Sequence, residues 1–448
     1  MGQLKGSYKE IFALTTPLLL VNASHTFIAI TDTMFMSRLN ETALATVGYI
    51  AMFYTLLVVV GYSFSKGVQI LVAKRMGEQN ETRIGNIVDN SIILLLALAI
   101  MLFVILFFFP QYLLGIFIKG QELIATGDLF LKYRTPGIFF NYFSVILISY
   151  FTGIGKTIYP GVAMLMMCGA NILLNWLLVF GHWGFPEMGV AGSGLASTLA
   201  EVISIFVLLF GIFMVNGFKK HQLLHFKRID KLEIKELIRM GLPIVGQSFI
   251  GFISWIYFFS CIENIMGKHD LAVSNLLKPI YQFFAVPVWS LANSVNTVIG
   301  NMAGQGKADE ISKITKRFLI VSIGVTLVMI AILLPFPAFW IELISGKTEY
   351  TQDCLEALYV IYASMLMMAI SLIVFNVIVS IGSTFISLTI EVVSIILYII
   401  YTYCLFNYTN INLAWAWSTE IVYWLIIAVL SYVFLKKYDW KKNIRVQT

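Results

Sequence analysis

The sequence predicts an all-α polytopic membrane protein, with twelve transmembrane helices in two six-helix lobes related by pseudo-two-fold symmetry. Composition, a series of long apolar runs and an internal repeat lead to this prediction. Of 448 residues, 59% are hydrophobic and 12% are charged, and the mean hydropathy is +0.85. A water-soluble protein of this size cannot bury so much apolar surface. The composition therefore excludes soluble enzymes, disordered chains and nucleic-acid-binding proteins.

Twelve apolar runs have the length of a membrane span, about 20 residues or more. The first run is too long for a cleaved signal peptide, and it contains Pro17 and Asp32. The predicted spans are 11–36, 45–75, 86–109, 124–152, 157–181, 190–215, 237–262, 270–302, 313–335, 355–380, 385–407 and 412–436.

The distribution of Lys and Arg predicts the orientation of these spans. With a cytoplasmic N-terminus, the inner segments hold 22 of these residues and the outer loops hold four: Arg38, Lys119, Lys268 and Lys347. The even number of spans then places the C-terminus in the cytoplasm as well. We expect a multi-pass protein of the inner (cell) membrane with both termini cytoplasmic.

The two halves of the chain match each other at a nearly constant offset. Pro17 recurs as Pro243, an offset of 226, and the turn at Gly155 recurs at Gly382, an offset of 227. Leu44-Ala45 recurs as Leu271-Ala272 and Gly77 as Gly304, both at an offset of 227. Halves with six spans each have the same orientation, as in many secondary transporters. The predicted domains are an N-terminal lobe (1–216), a cytoplasmic linker (217–235), a C-terminal lobe (236–436) and a basic tail (437–448).

Acidic residues within spans are energetically costly and each requires an explanation. Asp32 has His25 two helical turns before it and Pro17, which lets the helix bend. Asn171 and Asn175 share one face of the fifth span. The sixth span carries adjacent hydroxyls, Ser197 and Thr198.

A carboxylate, two amide oxygens and a hydroxyl form a set of oxygen ligands suited to Na⁺. The same carboxylate in a low-dielectric pocket could carry a proton instead. Alternatively, Asp32 is a structural hydrogen-bond acceptor and the two asparagines hold helices together. At the repeat offset Asp32 maps to Phe258 or Phe259, so the polar cluster occurs in the first half only. This asymmetry favours a functional role.

Three further acidic residues, Glu201, Glu391 and Glu420, fit hydrogen bonding between helices at least as well as transport. The four cysteines are widely separated and we interpret them as core residues. The chain has no Walker A, HExxH or GxSxG motif, and Thr152–Thr157 is better explained as a turn between spans. We therefore expect a protein that is not an enzyme and needs no cofactor besides a coupling ion.

Several segments together resemble the multidrug and toxic compound extrusion (MATE) family. They are Pro17 with Asp32, Leu44–Gly48, Gly67–Asn80, Thr152–Pro160, and Asn171 and Asn175 followed by Gly184–Thr198. The resemblance covers nearly the whole chain and implies the two-lobed MATE/MOP-type fold. It also implies rocker-switch alternating access, in which amphiphilic or cationic organic compounds leave in exchange for H⁺ or Na⁺.

The resemblance assigns the cation-coupling role to Asp32, Asn171 and Asn175, with a hydroxyl from Ser197 or Thr198. We name His25, Asn141 and Tyr142 as candidate residues of the substrate cavity. The chain looks more like the DinF-like branch than the NorM type, because Gly251 and Met368 stand where NorM-type members carry acidic residues. The expected partners are small organic molecules and the lipid bilayer, with no nucleic acid, and the protein is expected to be monomeric.

Two other functions remain open. A lipid-linked oligosaccharide or lipid flippase of the same superfamily would need several cations in its cavity to bind pyrophosphate. The spans contain Lys66, Lys132, Arg134 and Lys278. A polytopic membrane transferase would need a polar cluster at the membrane surface, and no outer loop carries one.

Overall fold

A computed structural model of the chain describes residues 3–117, 120–226, 229–345, 351–408 and 411–446. Within these residues the chain forms helices and no strand. Lys119, Lys347 and residues 227–228 of the predicted linker lie outside the described residues. The helices are α1 (Tyr8–Leu39), α2 (Glu41–Gly77), α3 (Thr82–Phe108), α4 (Pro110–Phe117), α5 (Gln121–Arg134), α6 (Gly137–Gly153), α7 (Ile158–Phe180), α8 (Val190–Met214), α9 (Gly217–Lys220), α10 (Lys231–Cys261), α11 (Lys268–Gly304), α12 (Ala308–Leu333), α13 (Pro337–Ser345), α14 (Thr351–Ser380), α15 (Thr384–Tyr408), α16 (Leu413–Lys437) and α17 (Trp440–Val446).

Eleven helices of the described part are long and apolar enough to cross a membrane, and a bent pair makes a twelfth span. The twelve predicted spans are thus confirmed. The fourth is not one straight helix, however, because α5 and α6 meet at an angle of 48°. Pro136 contributes to the break, since it has no amide hydrogen to donate within a continuous helix.

The internal repeat is visible in backbone hydrogen bonds at two helix ends. After α6, Lys156 N donates to Phe151 O and Gly155 N to Thr152 O (2.8 and 3.0 Å). The corresponding bonds, Ser383 N to Ile378 O and Gly382 N to Val379 O, follow α14 at an offset of 227 (3.2 and 3.1 Å). Gly155 and Gly382 have φ of 76° and 86°. Each turn therefore requires the left-handed conformation that glycine adopts without steric cost.

Two compact units make up the chain: Thr16–Leu242, here called the N unit, and Met1–Thr15 with Pro243–Thr448, the C unit. The predicted lobe boundaries at 216 and 236 differ from this division, which falls within α1 and α10. Contacts between residues far apart in the sequence give the reason. Leu4 N donates to Asn301 Oδ1 (2.9 Å), whereas Arg75 pairs with Glu236 (2.8 Å).

The linker is bound to the N unit by the Asp89 carboxylate. Asp89 accepts hydrogen bonds from the backbone N–H groups of Leu224, His225 and Phe226 at 2.8, 3.0 and 2.8 Å. Leu224 and Phe226 have φ of 57° and 48°. Alternating left-handed residues point successive N–H groups at one anion, and the carboxylate offsets the strain of that conformation.

Part of the predicted basic tail folds onto the C unit. In α17, Trp440 and Ile444 are 5% exposed and join a core cluster with Ile11 and Phe318. Lys441 Nζ lies 3.1 Å from Asp309 Oδ1. α17 is therefore an amphipathic helix with its apolar side buried.

Candidate cation-coupling site

The N unit contains a cavity of about 450 Å³ whose lining combines charged, amide and hydroxyl groups with apolar side chains. Helices α1, α2, α5, α6, α7 and α8 all contribute to it. Its polar and charged lining residues are His25, Asp32, Thr33, Tyr54, Thr55, Arg134, Asn141, Asn171, Ser193, Ser197 and Glu201.

Asp32 lies on α1 facing two amides of α7. Asn175 Nδ2 donates to Asp32 Oδ1 at 2.9 Å, to Asn171 O at 3.0 Å and to Asn171 Oδ1 at 3.2 Å. The structure thus brings together the three residues that the sequence grouped. It differs from the expected set of oxygens in one respect, because the nitrogen of Asn175 faces Asp32 and its oxygen is buried without a hydrogen-bond partner among the described residues.

The two adjacent hydroxyls of α8 have different surroundings. Ser197 lines the cavity, and its Oγ accepts a hydrogen bond from Asn171 Nδ2 at 3.2 Å. Thr198 donates to Tyr133 O at 2.9 Å, away from the cavity lining. Thr198 therefore stabilises the break between α5 and α6, where a carbonyl group at membrane depth needs a donor from a neighbouring helix.

The three candidate substrate-cavity residues do not all lie in the cavity lining. His25 and Asn141 line the cavity. Tyr142 is fully buried next to it, and its hydroxyl donates to Leu57 O at 2.7 Å. Adjacent residues of α6 face about 100° apart, so Asn141 and Tyr142 cannot both point the same way.

An ion pair that the sequence analysis did not predict lies in the same cavity. Arg134 Nη2 and Nη1 donate to Glu201 Oε1 and Oε2 at 2.8 and 3.1 Å, and Asn141 Nδ2 donates to Oε1 at 3.2 Å. The guanidinium carbon lies 4.2 Å from the centre of the Tyr54 ring. Buried charges within spans usually pair with one another, so this rule predicts an oppositely charged partner for Arg134 but does not say which acidic residue it is.

Gly137 makes this ion pair possible. A Cβ atom at this position would collide with Arg134 Nη1 and Glu201 Oε2. A larger residue at this position would therefore force the end of at least one of these side chains to move. The break after α5 also contributes, because Arg134 is the last residue of that helix and projects into the cavity at the bend.

Several corresponding positions of the C unit hold aromatic or apolar side chains, although Ser193 and Thr55 map to Glu420 and Gln282. At an offset of 227, Asp32, Asn141, Asn171 and Ser197 map to Phe259, Met368, Tyr398 and Trp424, while Tyr54 maps to Tyr281. Trp424 Nε1 donates to Tyr281 Oη at 3.0 Å, and this hydroxyl lies 3.6 Å from Met368 Sδ. At these positions, packed side chains replace the polar lining of the N unit.

Glu391 and Glu420 lie in the C unit and bond to tyrosines of neighbouring helices. Tyr423 Oη donates to Glu391 Oε1 at 2.6 Å, and Tyr281 Oη donates to Glu420 Oε2 at 3.2 Å. These contacts join α16 to α15 and α11. They agree with the interhelical hydrogen bonding that the sequence allowed for both residues.

Comparison with known proteins decides the family. A sequence model of the MatE family matches residues 17–177 and 243–404, which is more than half of the chain. The chain belongs to the MatE family. The two matched segments begin at Pro17 and Pro243, the same positions at which the internal repeat aligns.

Several relatives of this MatE protein are described as multidrug resistance proteins. The probable multidrug resistance protein NorM of Mesorhizobium japonicum is 26% identical over 314 residues, 68% of this chain and 66% of the relative. NorM of Thermotoga maritima is 24% identical over 333 residues, 73% of this chain and 71% of the relative. The chain thus spans just under two thirds of the first relative's length. Assignment to the DinF-like branch stays a prediction.

Solved structures share the fold over almost the whole chain. An outward-facing multidrug resistance MATE family transporter of the MOP superfamily aligns with a TM-score of 0.88 and 18% identity, covering 98% of this chain and 96% of that one. A MOP superfamily transporter from Pyrococcus furiosus, described as having a binding pocket of reverse polarity, aligns with a TM-score of 0.86 and 19% identity, covering 97% and 95%. These likenesses confirm the predicted MATE/MOP-type fold.

Proposed function

We propose that this MatE protein is a cation-coupled antiporter that exports amphiphilic or cationic organic compounds by rocker-switch alternating access. Asp32 is the group that exchanges the cation. The observation that carries the proposal is the hydrogen bonding of Asp32 to Asn175 at the wall of a mixed polar and apolar cavity. The description of relatives as multidrug resistance proteins supports the class of substrate.

The charges of the cavity support coupling to one monovalent cation. Arg134 and Glu201 neutralise each other, so an ionised Asp32 leaves the cavity with one net negative charge. A single H⁺ or Na⁺ would make the cavity neutral, and a neutral site costs less in a low-dielectric environment. A divalent ion usually recruits more carboxylates than one.

The hydrogen bonds of Asn175 favour the proton over Na⁺. The three oxygens that converge on Asn175 Nδ2 already share that donor, so a metal ion would have to displace the amide nitrogen. A protonated Asp32 needs no such change. Na⁺ remains the alternative, because rotating the Asn175 amide by 180° would turn its buried oxygen toward Asp32.

The flippase alternative is less well supported by the site. A pyrophosphate group needs guanidinium or ammonium groups free to bind it. Arg134, the cation that lines the cavity, already has both terminal nitrogens on Glu201.

Efflux from proteoliposomes tests the proposal. Wild-type protein should drive export of a fluorescent organic cation such as ethidium under an imposed ΔpH alone. An imposed ΔNa⁺ alone tests the alternative ion. Asp32→Asn keeps the size and most hydrogen bonds of the side chain but cannot ionise, so its efflux should fall to that of protein-free vesicles.

A matched control makes the same chemical change outside the cavity. Asp309 is exposed and pairs with Lys441 on the C unit, so Asp309→Asn should transport like the wild type. Normal cation-driven efflux by a well-expressed Asp32→Asn protein would overturn the proposal and leave Asp32 as a structural hydrogen-bond acceptor.

A further inference from the structure

Asp32 is surrounded by charged and titratable groups from five helices. Arg134 lines the same cavity as Asp32, so its charge lies within electrostatic range of the carboxylate. The others in or beside the cavity are His25 on α1 itself, Tyr54 on α2, Cys168 on α7 and Glu201 on α8. Arg134 thus places a positive charge in the same cavity as the proposed cation-binding carboxylate.

Four contacts keep the guanidinium in place. Two hydrogen bonds join it to Glu201 in a bidentate arrangement, which fixes its plane as well as its position. Asn141 holds the same carboxylate from α6, and the Tyr54 ring packs against the guanidinium. The Arg134 side chain is 12% exposed and that of Glu201 is 4% exposed. Neither side chain is free to swing toward Asp32 without breaking this network.

We propose that the Arg134–Glu201 ion pair sets the affinity of Asp32 for the coupling cation, a role that rests on the proposed function. The guanidinium repels an arriving cation and the Glu201 carboxylate attracts it. A transporter must bind its coupling cation and also release it. The two charges of the pair offset each other, so the balance between them holds the affinity of Asp32 between the two extremes that either charge alone would produce.

This role predicts shifts of opposite sign for the two partners. Arg134→Gln removes the positive charge and should lower the cation concentration that half-saturates efflux, by roughly tenfold or more. Glu201→Gln leaves the guanidinium unpaired and should raise that concentration by a similar factor. Because H⁺ and Na⁺ carry the same charge, these directions hold for either coupling ion.

Two further variants separate electrostatics from structure. The double variant Arg134→Gln with Glu201→Gln restores the net charge of the cavity, so its half-saturating concentration should return to within about threefold of the wild type. Arg134→Lys keeps the charge and loses the bidentate geometry, so it should also stay close to the wild type. A merely structural role predicts instead that the double variant and Arg134→Lys are as impaired as the single variants.

The measurement is the initial rate of ethidium efflux from proteoliposomes, as a function of pH at fixed Na⁺ and of Na⁺ at fixed pH. Arg75→Gln is the control, because Arg75 forms an ion pair with Glu236 at the other end of α2, outside the cavity lining. It should leave half-saturation unchanged.

The outcomes are distinct. Opposite shifts that cancel in the double variant support the proposal. If Arg134→Gln and Glu201→Gln shift the half-saturating cation concentration in the same direction, or do not shift it, the proposal is overturned. The proposed function survives in that case if Asp32→Asn still abolishes cation dependence. If Glu201→Gln does not fold, the half-saturating cation concentrations of Arg134→Gln and Arg134→Lys are compared instead. Equal values in these two variants overturn the proposal. Failure of the proposed function looks different, since Asp32→Asn would then transport normally.

Discussion

At the scale of single residues, Asn175 has a different role from the one its side-chain type suggested. An asparagine beside a carboxylate can offer an oxygen to a metal ion or a nitrogen to the carboxylate. Here it donates, with one nitrogen shared among Asp32 and two oxygens of Asn171. The unpartnered oxygen of Asn175 is the atom that would have to turn if Na⁺ were bound.

Asn175→Asp tests this arrangement. The change puts a second carboxylate at hydrogen-bond distance from Asp32, where the amide nitrogen lies now (2.9 Å). Two carboxylates so close cannot both ionise in a low dielectric, so the pair should hold one shared proton. We expect the ratio of ΔpH-driven to ΔNa⁺-driven efflux to rise. An unchanged ratio in proteoliposomes would mean that residue 175 does not face Asp32 during transport.

At the scale of elements, the linker is stabilised by one side chain of α3. Asp89 accepts three backbone hydrogen bonds from residues 224–226. Hydrogen bonds to a charged acceptor contribute about 1.5–3 kcal/mol each. Asp89→Asn removes that charge, so the three amides should exchange with solvent at least about tenfold faster. Hydrogen exchange measured by mass spectrometry checks this, with Asp309→Asn as the control. Equal protection in both variants would contradict the role of Asp89.

The same linker should lose stability in acid because of His221. His221 is 3% exposed, and the Tyr150 hydroxyl lies 2.7 Å from its Nδ1. Burial lowers the pKa of His221 below its usual value of about 6.5, although the nearby Glu81 opposes this. A histidine with a lower pKa when folded contributes stability above its unfolded pKa, and that contribution is lost as the pH falls.

Amide protection in residues 217–226 should therefore decrease below about pH 6.5, as seen by hydrogen exchange corrected for the intrinsic pH dependence of the rate. His221→Gln cannot ionise and should remove this pH dependence. If the wild type and the variant respond alike to pH, another group is responsible.

At the scale of the whole molecule, the bias of basic residues predicts which ends are cytoplasmic. In a cysteine-free background, Lys219→Cys in the linker and Lys442→Cys in the tail should resist a membrane-impermeant thiol reagent added to intact cells. Glu187→Cys, in the predicted outer loop between α7 and α8, should react. Both Lys219 and Glu187 are exposed, so a difference in labelling reports the side of the membrane on which each residue lies. Labelling of residue 219 from outside would reverse the orientation of every loop.

The sequence by itself determined the number of spans, the repeat and the grouping of Asp32 with Asn171 and Asn175. The spans, the repeat and the shared face of Asn171 and Asn175 depend on hydropathy and helical periodicity, which are local properties of the chain. Matching turns at Gly155 and Gly382 were visible for the same reason, because each requires glycine at one backbone position. The grouping of Asp32 with Asn171 and Asn175 followed from their oxygen ligands and from the resemblance to the MATE family.

Only the tertiary structure decided which partners these groups have. Asn175 could donate or accept, and its orientation depends on the oxygens that α1 and α7 bring around it. Arg134 and Glu201 are 67 residues apart and meet only because α5 ends at the bend and Gly137 leaves space. The boundary between the units likewise falls within α1 and α10, since long-range contacts tie their ends to different units. Such contacts depend on how helices pack, and no local pattern in the sequence encodes that packing.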